Sequence, residues 1–283
     1  MIDKLLDKLI LKLTGIDCNK RNPVEYDKLL RSPGQSLDEA MDDIRNKILD
    51  KLFSILAIMI VFIILSITLQ FPSYYQIIFM LICLGYVIFL LQKYYPILRD
   101  YRLGRDGERS MAQYLSAVAR QLSKEDANMH IYHDLVNEKK KFNVDHVVVS
   151  KKGIFIVETK TYRKDQGTTN TIFSNGKELI KNGQKLTNNI PLQIKGQAQW
   201  LQSELHQITG KKYQIIKIIA FVGWYVEGEK IDDIYITTAK TLKNIIENQY
   251  SKILYDDEEL KRITSCIHKL ATVGAKNHTD ICE

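Results

Sequence analysis

Two acidic residues and a lysine flank a short apolar β-hairpin in the middle of the chain. Asp145 precedes the run His-Val-Val-Val, and the run Gly-Ile-Phe-Ile-Val leads into Glu158-Thr-Lys160. Paired carboxylates repel each other and attract a hard divalent cation such as Mg²⁺ through oxygen ligands. Such a cation orients a phosphate and activates water, while Lys160, on the same strand face as Glu158, could hold either one. These residue types therefore suggest metal-assisted cleavage of a phosphodiester.

The turn of the hairpin decides whether the two acids meet. A two-residue turn at Lys151 and Lys152 places Asp145 opposite Glu158, above an apolar floor on the same face. That floor comprises Val147, Val149, Ile154 and Ile156. A three-residue turn with Gly153 as a bulge slips the pairing by one residue and moves Asp145 to the other face. Both registers are open on the sequence alone, and so is an exposed hairpin end with an ordinary Glu–Lys pair.

Three motifs in a fixed order around the hairpin resemble the nuclease-related domain (NERD) family. They are a Gly-x-x-Gly-Glu helix start that ends at Glu108, the Val-Asp-His-Val-Val-Val hairpin, and a second helix start with Pro191 and Gln193. The resemblance covers residues 104–224, and the ordered set is specific. The family is similar to the PD-(D/E)xK nucleases. The resemblance therefore implies an α/β fold with a restriction-endonuclease-like mixed β-sheet flanked by helices.

The resemblance also implies a set of site residues and a metal cofactor, Mg²⁺ or Mn²⁺. The implied metal ligands are Asp145, Glu158, the Thr159 carbonyl and Glu108, the last either directly or through water. Lys160 would orient the attacking nucleophile. Gln193 and Gln197 lie one helical turn apart and would steady Lys160 or the phosphate.

Two uncharged apolar stretches precede the hairpin. Residues 52–69 and 70–92 contain no charged side chain, and each approaches the roughly 20 residues that a membrane-crossing helix needs. Pro72 and Ser73 break the helix between them. Basic residues flank both outer ends and the connecting loop has no charge, so both ends are predicted in the cytoplasm. We expect a multi-pass protein of the cell (inner) membrane; a buried hairpin of soluble core helices is the alternative.

The chain then divides into four parts. They are a cytoplasmic segment, two transmembrane helices, the nuclease-like domain and a C-terminal helical extension, at residues 1–51, 52–92, 104–226 and 227–283. In the first part, apolar residues recur along Met1–Leu13 at helical spacing, which predicts an amphipathic helix on anionic lipid, on a partner or on the nuclease-like domain. Ser36 and Glu39 form a capping-box signature for a helix that could continue into the first membrane pass.

The basic residues are concentrated around the hairpin. Residues 139–195 contain 12 basic and 4 acidic residues, in a chain of formal net charge +7. A basic field around an acidic pocket suits a polyanion, so nucleic acid is the expected partner, with DNA favoured. Lysines that only keep surface loops soluble would give the same pattern.

Cysteines and histidines indicate no second metal site. None of the four cysteines stands at a metal-ligand spacing from another, and a disulfide framework is not expected. His130 and His133 are interpreted as solvated side chains where the first helix leads into a strand. His146 points to the face opposite Asp145 and is interpreted as structural or as a donor to the site ligands.

These residues together predict a membrane-anchored, cytoplasm-facing, metal-dependent nuclease, with defence against foreign DNA as a candidate role. A membrane-tethered module that binds or senses nucleic acid without cutting it would share the basic field. A membrane scaffold that recruits a partner through Met1–Leu13 is a third class. Association into a homo-oligomer is compatible with each.

Overall fold

The computed structural model describes residues 29–122, 129–137, 142–187, 189–248 and 255–273. These residues form five helices and nine strands. The helix predicted over Met1–Leu13 lies outside them, so that prediction stands untested.

Two long helices form a hairpin at the N-terminal end of the described chain. Helix α1 spans Gln35–Thr68 and helix α2 spans Ser73–Leu122. The predicted helix break lies in the turn between them, where Gln70 has a positive φ and Pro72 precedes α2. Both helices are long and apolar enough to cross a membrane, and almost none of their most apolar windows is buried. The continuation of α1 into the first apolar stretch is confirmed.

Contacts along the hairpin hold α1 against α2. Near the turn, Gln76 Nε2 donates to Ser66 Oγ at 2.7 Å. The rings of Phe62 and Phe79 stack with their centroids 4.1 Å apart. At the other end of the apolar region, Lys51 Nζ donates to Tyr94 Oη at 3.1 Å. The polar contacts therefore lie near the two ends of the apolar region.

A five-stranded mixed sheet forms the centre of the remaining chain, in the order β1-β2-β3-β7-β9. Its strands are β1 His130–Asn137, β2 Phe142–Ser150, β3 Gly153–Lys160, β7 Ile215–Phe221 and β9 Ile234–Thr238. The first three strands pair antiparallel, and β3, β7 and β9 pair parallel. The predicted α/β class with a mixed sheet is confirmed. The region expected as a helical extension, residues 227–283, also supplies the edge strand β9.

A second, small sheet and three further helices surround the central sheet. The small sheet has the order β6-β5-β4-β8, with β4 Thr171–Ser174, β5 Leu179–Lys181, β6 Gln184–Lys185 and β8 Tyr225–Gly228. The helices are α3 Ile190–Thr209, α4 Ala239–Asn248 and α5 Asp257–Val273. All three agree with the apolar periodicity of the sequence.

Hydrophobic side chains cover both faces of the central sheet. Because side chains alternate along a strand, Ile154 and Ile156 of β3 face α3 and α5, whereas Phe155 and Val157 face α4 and the last turns of α2. All four side chains are fully buried. This double burial explains why β3 reads as a nearly continuous apolar run.

The motif that ends at Glu108 does not start a helix, contrary to the sequence prediction. Helix α2 continues through it without a break. The glycine before Glu108 serves packing instead: a Cβ on Gly107 would lie 1.7 Å from Thr161 Oγ1. Without a side chain at Gly107, α2 approaches the end of β3 and carries Glu108 to the sheet.

The capping box predicted at Ser36 is also wrong. Helix α1 begins after Gly34, which has a left-handed φ of 75° and makes no side-chain cap bond. Ser36 Oγ donates to Asp134 at 2.7 Å, and Glu39 accepts from Arg31 at 2.9 Å. A tertiary partner that the local sequence could not reveal replaces the local cap.

Candidate active site

The register of β2 against β3 brings the two predicted acids together. His146 pairs with Val157 and Ser150 with Gly153, so the turn holds two residues, and Asp145 is the next position opposite Glu158. The two-residue turn is confirmed, and the bulged alternative is wrong. The predicted apolar floor beneath the acids is fully buried within one core cluster.

Three donors fix the carboxylate of Glu158, which is only 1% exposed. Gln193 Nε2 donates to Oε1 at 2.8 Å, and Gln197 Nε2 donates to Oε2 at 2.7 Å. Lys160 Nζ also donates to Oε1, at 2.6 Å, and lies 3.3 Å from Gln193 Oε1. The predicted residues of β3 and α3 therefore lie in direct contact.

The start of α3 places these two glutamines. Asn189 caps the helix by accepting from Leu192 N, and a proline stands in the first turn. Gln193 and Gln197 then project one turn apart towards β3. Gln197 Nε2 also donates to Asn143 O at 2.8 Å. Because this nitrogen faces two acceptors, the amide of Gln197 has one favourable orientation.

Asp145 is buried beside Glu158 and is held by the backbone of β3. Its Oδ2 accepts from Thr159 N–H at 2.8 Å. In an extended strand the N–H and C=O of one residue point to the same side, so the Thr159 carbonyl faces the side of Asp145. That carbonyl is the additional oxygen predicted from the sequence.

Glu108 reaches the acidic pair from α2 and is buried. The backbone of Gly34 lies beside its carboxyl group and acts to lower its pKa. The oxygen Oε2 of this carboxyl group is buried and has no hydrogen-bond partner among the described residues. Burial raises the pKa of Glu108 to about 8, and repulsion by Asp134 and Glu158 adds to that shift.

Burial and neighbouring charges also shift the pKa values of Asp145 and Lys160. Burial raises the pKa of Asp145 well above its usual range, with repulsion from Glu158 and Glu108 as further causes. Burial alone would lower the pKa of Lys160, but attraction to Glu158 and Asp145 outweighs it and the pKa is raised. Lys160 is therefore an ammonium ion at neutral pH. Three carboxyl groups face this single cation, an arrangement that favours a further positive charge.

The protein oxygens at this site can bind a hard cation only if further ligands, such as water, complete its coordination. Within the described ranges, no three His, Cys, Asp or Glu side chains lie close enough to hold a metal ion by themselves. The oxygens present are those of Asp145 and Glu158, the Thr159 carbonyl and the unpartnered Glu108 Oε2. All are hard oxygen ligands of the kind that Mg²⁺ and Mn²⁺ prefer, and Mg²⁺ keeps several waters in such sites.

The histidines differ from the prediction. His130 is exposed, but His133 lies in β1 and its Nδ1 is 2.8 Å from His146 Nδ1, so the interpretation of His133 as solvated is wrong. Burial lowers the pKa of His133 to about 4. Burial and His133 lower the pKa of His146 as well. The two neutral rings form a hydrogen-bonded pair on the face opposite Asp145.

Sequence reasoning missed four residues that contact the predicted set. They are Arg31, Gly34, Asp134 and Asn143. Arg31 and Asp134 are 103 positions apart, so no local spacing could pair them. The one local signal is the Pro-Gly dipeptide at Gly34, which predicts only a turn.

One family model matches the part of the chain that contains these residues. Residues 103–222 match the nuclease-related domain (NERD) family. No curated protein and no solved structure matches the chain. The matched region begins after the apolar part of the helical hairpin and includes Glu108, the β2–β3 hairpin and both glutamines of α3. Residues 103–222 of the chain are therefore similar to the nuclease-related domain family.

Proposed function

We propose that this chain is a membrane-anchored nuclease that depends on a divalent metal and hydrolyses phosphodiester bonds in nucleic acid, with DNA favoured. One observation carries the proposal. Asp145, Glu158 and Lys160 meet at one end of β2 and β3, and Glu108 reaches them from α2, within the nuclease-related region.

Mg²⁺ or Mn²⁺ would be held by Asp145, Glu158 and the Thr159 carbonyl, with Glu108 as a direct or water-mediated ligand. When bound, such a cation polarises the phosphate and lowers the pKa of a bound water. Two of these groups, the carboxylates of Asp145 and Glu158, are already held in position by hydrogen bonds, which reduces the reorganisation needed on binding.

The remaining residues position the reactants. Lys160 keeps its proton because its pKa is raised, so it acts as a donor to a phosphate oxygen or to the nucleophile and not as a base. Gln193 contacts both Lys160 and Glu158 and therefore sets the direction of the lysine. Glu108, with a pKa near neutral, can accept and release a proton at its unpartnered Oε2.

The charge around the site supports a polyanionic substrate. Residues 139–195 carry an excess of basic residues, and two of their four acids are the proposed ligands Asp145 and Glu158. Contacts of this kind attract the phosphate backbone without reading bases. We therefore expect weak sequence preference.

The helical hairpin supports an anchor in the cell membrane. Residues 52–68 of α1 rise about 26 Å, close to the thickness of a bilayer's hydrocarbon core. Lys51 and Lys93 flank the apolar region on the side of the nuclease-related domain, so we place that side in the cytoplasm.

A nuclease held there would meet incoming DNA early, which favours a role in defence. Unchanged phage infection and plasmid uptake in a deletion strain would count against that role.

Cleavage of labelled plasmid and linear DNA by the detergent-purified full chain tests the activity. We expect cutting with Mg²⁺ or Mn²⁺, none with EDTA, and a loss of roughly 100-fold or more in Glu158→Ala and Lys160→Ala. Glu178→Ala and Lys185→Ala are matched controls, because these two residues form an exposed ion pair in the same domain. Equal loss in the controls, or metal-independent cutting, would contradict the proposal.

One observation favours a second candidate, a membrane-tethered module that senses nucleic acid without cutting it. The described residues provide no group of three His, Cys, Asp or Glu side chains placed to bind a metal ion. This candidate predicts salt-sensitive DNA binding with no turnover under any metal condition. The same cleavage experiment therefore separates the two.

A further inference from the structure

The residues that lead into α1 contact the candidate active site, although they lie far outside the matched region. We call residues 31–38 the strap. It includes the left-handed Gly34 and the first turn of α1. The strap has two sets of contacts with the nuclease-related domain, and each set ends on a proposed metal ligand.

The first set is centred on Asp134, which is fully buried in β1. Asp134 accepts from Arg31 Nε at 2.9 Å, from Ser36 N at 2.8 Å and from Ser36 Oγ at 2.7 Å. It also accepts from Asn143 Nδ2 at 2.7 Å. Asp134 has a φ of 52°, so the strand departs from extended geometry at the point where its carboxylate meets the strap. Asp134 thus joins the strap to β2.

From β2 the connection continues to Glu158. Asn143 is bonded to Asp134 through its side chain and to Gln197 Nε2 through its carbonyl. The same nitrogen of Gln197 donates to Glu158 Oε2. An unbroken series of contacts therefore runs from the strap to the carboxylate of Glu158.

The second set of contacts ends on Glu108. The backbone of Gly34 lies beside the Glu108 carboxyl group and acts to lower its pKa. Gly34 can approach α2 only because it lacks a side chain: a Cβ there would lie 2.8 Å from Arg105 Cγ. Asp38 holds the strap beside this contact by accepting from Arg105 at 3.1 Å and from Arg109 at 2.5 Å.

We propose that the strap is part of the nuclease site and that Arg31, Gly34 and Ser36 are positioning residues for Glu108 and Glu158. The proposal rests on the proposed function and names residues outside the family match on which that site depends. If the strap only attached the helical hairpin to the domain, the ion pairs at Asp38 would be sufficient for that purpose. Its other contacts would then not need to lead to two carboxylates of the site.

Arg31→Met in the full-length, detergent-solubilised protein tests the proposal. It keeps an unbranched side chain up to the position of Nε and removes the charge and the hydrogen bonds to Asp134, Ser36 and Glu39. We expect kcat on DNA to fall about 100-fold, because small displacements of catalytic groups are costly, while KM stays within about twofold. Arg45→Met is the matched control, since Arg45 forms only an exposed ion pair with Asp42 on α1. It should leave both constants unchanged.

Amide hydrogen exchange supplies a readout that does not need activity. Thr159 N–H is bonded to Asp145 within the site, and the backbone of Gly34 lies beside the Glu108 carboxyl group. In Arg31→Met we expect faster exchange at both amides, with protection in the core strand β7 unchanged. Faster exchange at Gly34 alone, with kcat and Thr159 unaffected, would overturn the proposal and leave the strap as an attachment.

Ser36→Ala provides a milder variant if Arg31→Met does not fold, because it removes one donor from Asp134 and leaves the ion pair. The same two amides should exchange faster, with kcat reduced and KM unchanged; wild-type values would contradict the proposal. If the wild type cuts no nucleic acid, the proposed nuclease function fails. The exchange at Thr159 then still decides whether the strap positions the site.

Discussion

At the scale of single residues, the site is an unusually crowded set of charges. Glu108, Asp145 and Glu158 are all buried within reach of one ammonium group, that of Lys160. Burial and mutual repulsion favour the protonated forms of Glu108 and Asp145. Such perturbed groups are typical of sites that bind cations or move protons.

The stability of the metal-free protein should therefore fall as pH rises. The pKa of Glu108 is raised from 4.5 to about 8, so the folded state holds a proton that the unfolded state releases between these values. The stabilising contribution is complete below the unfolded pKa and is lost as pH rises through the folded pKa. Glu108→Gln removes this titrating group. The free energy of unfolding of the variant should therefore fall less than that of wild type between pH 6 and 8.5, a range that includes the folded-state pKa of Glu108.

Thermal unfolding in EDTA at both pH values measures this difference. Added Mg²⁺ should restore wild type at the higher pH, because binding a cation favours the ionised carboxylate. Identical losses in wild type and Glu108→Gln would show that Glu108 does not titrate in this range.

Some contacts of single residues could be predicted from the sequence and others could not. The sequence narrowed the pairing of Asp145 to two registers, because a short turn allows only these, and the structure shows the one that places Asp145 opposite Glu158. Arg31 and Asp134 could not be paired, because a side chain carries no signal about a partner 103 positions away.

At the scale of secondary-structure elements, the important feature is the close packing of α2 on the end of β3. Propensity alone favours a helix boundary at a Gly-rich motif, because glycine is a poor helix former. The structure shows an uninterrupted helix in which Gly107 touches Thr161. Strands β2, β3 and β7 and the start of α3 were predictable because their signals are local. The role of Gly107 was not, because it depends on a partner in another element.

Gly107→Ala should disrupt this packing. Its Cβ would lie 1.7 Å from Thr161 Oγ1 and 2.8 Å from Thr161 Cβ, so α2 must move away and take Glu108 with it. We expect a loss of about 1–3 kcal/mol in unfolding free energy and most of the nuclease activity. Denaturant unfolding and the plasmid assay measure the two effects.

Gly196→Ala is the matched control. Gly196 also lies inside a helix near the site, but a Cβ there meets nothing within 4 Å. It should be neutral or stabilising by up to about 1 kcal/mol, because alanine is the better helix former. Equal destabilisation by both substitutions would show that helix propensity, and not contact with Thr161, governs position 107.

At the scale of the whole molecule, the chain joins an apolar helical hairpin to a mixed α/β domain. The division was predictable because charge is absent from residues 52–92 and concentrated beyond them. The contact of the strap with the domain was not, because it arises only when the chain folds back on itself. The consequence is that the residues leading into the helical hairpin and the α/β domain share one polar network.

The proposed orientation can be tested by cysteine labelling in cells. In a variant without the four native cysteines, Ser73→Cys places a thiol at the turn between α1 and α2, and Asp42→Cys places one beside the domain. A membrane-impermeant maleimide should label Ser73→Cys in intact spheroplasts, and Asp42→Cys only after permeabilisation. The reverse pattern would invert the topology, and labelling of both before permeabilisation would rule out a membrane-spanning hairpin.

The continuity of α2 has one more consequence. From Lys93 to Glu108 the helix rises about 22 Å at 1.5 Å per residue, and it is uninterrupted although Pro96 lies within it. In the proposed membrane orientation, this part of α2 holds the candidate active site a short, fixed distance above the inner face of the bilayer. It can reach a strand that is passing through or lying against that surface, but not the bulk of the chromosome. Under the proposed function, the substrates are therefore selected by their distance from the membrane and not by their sequence.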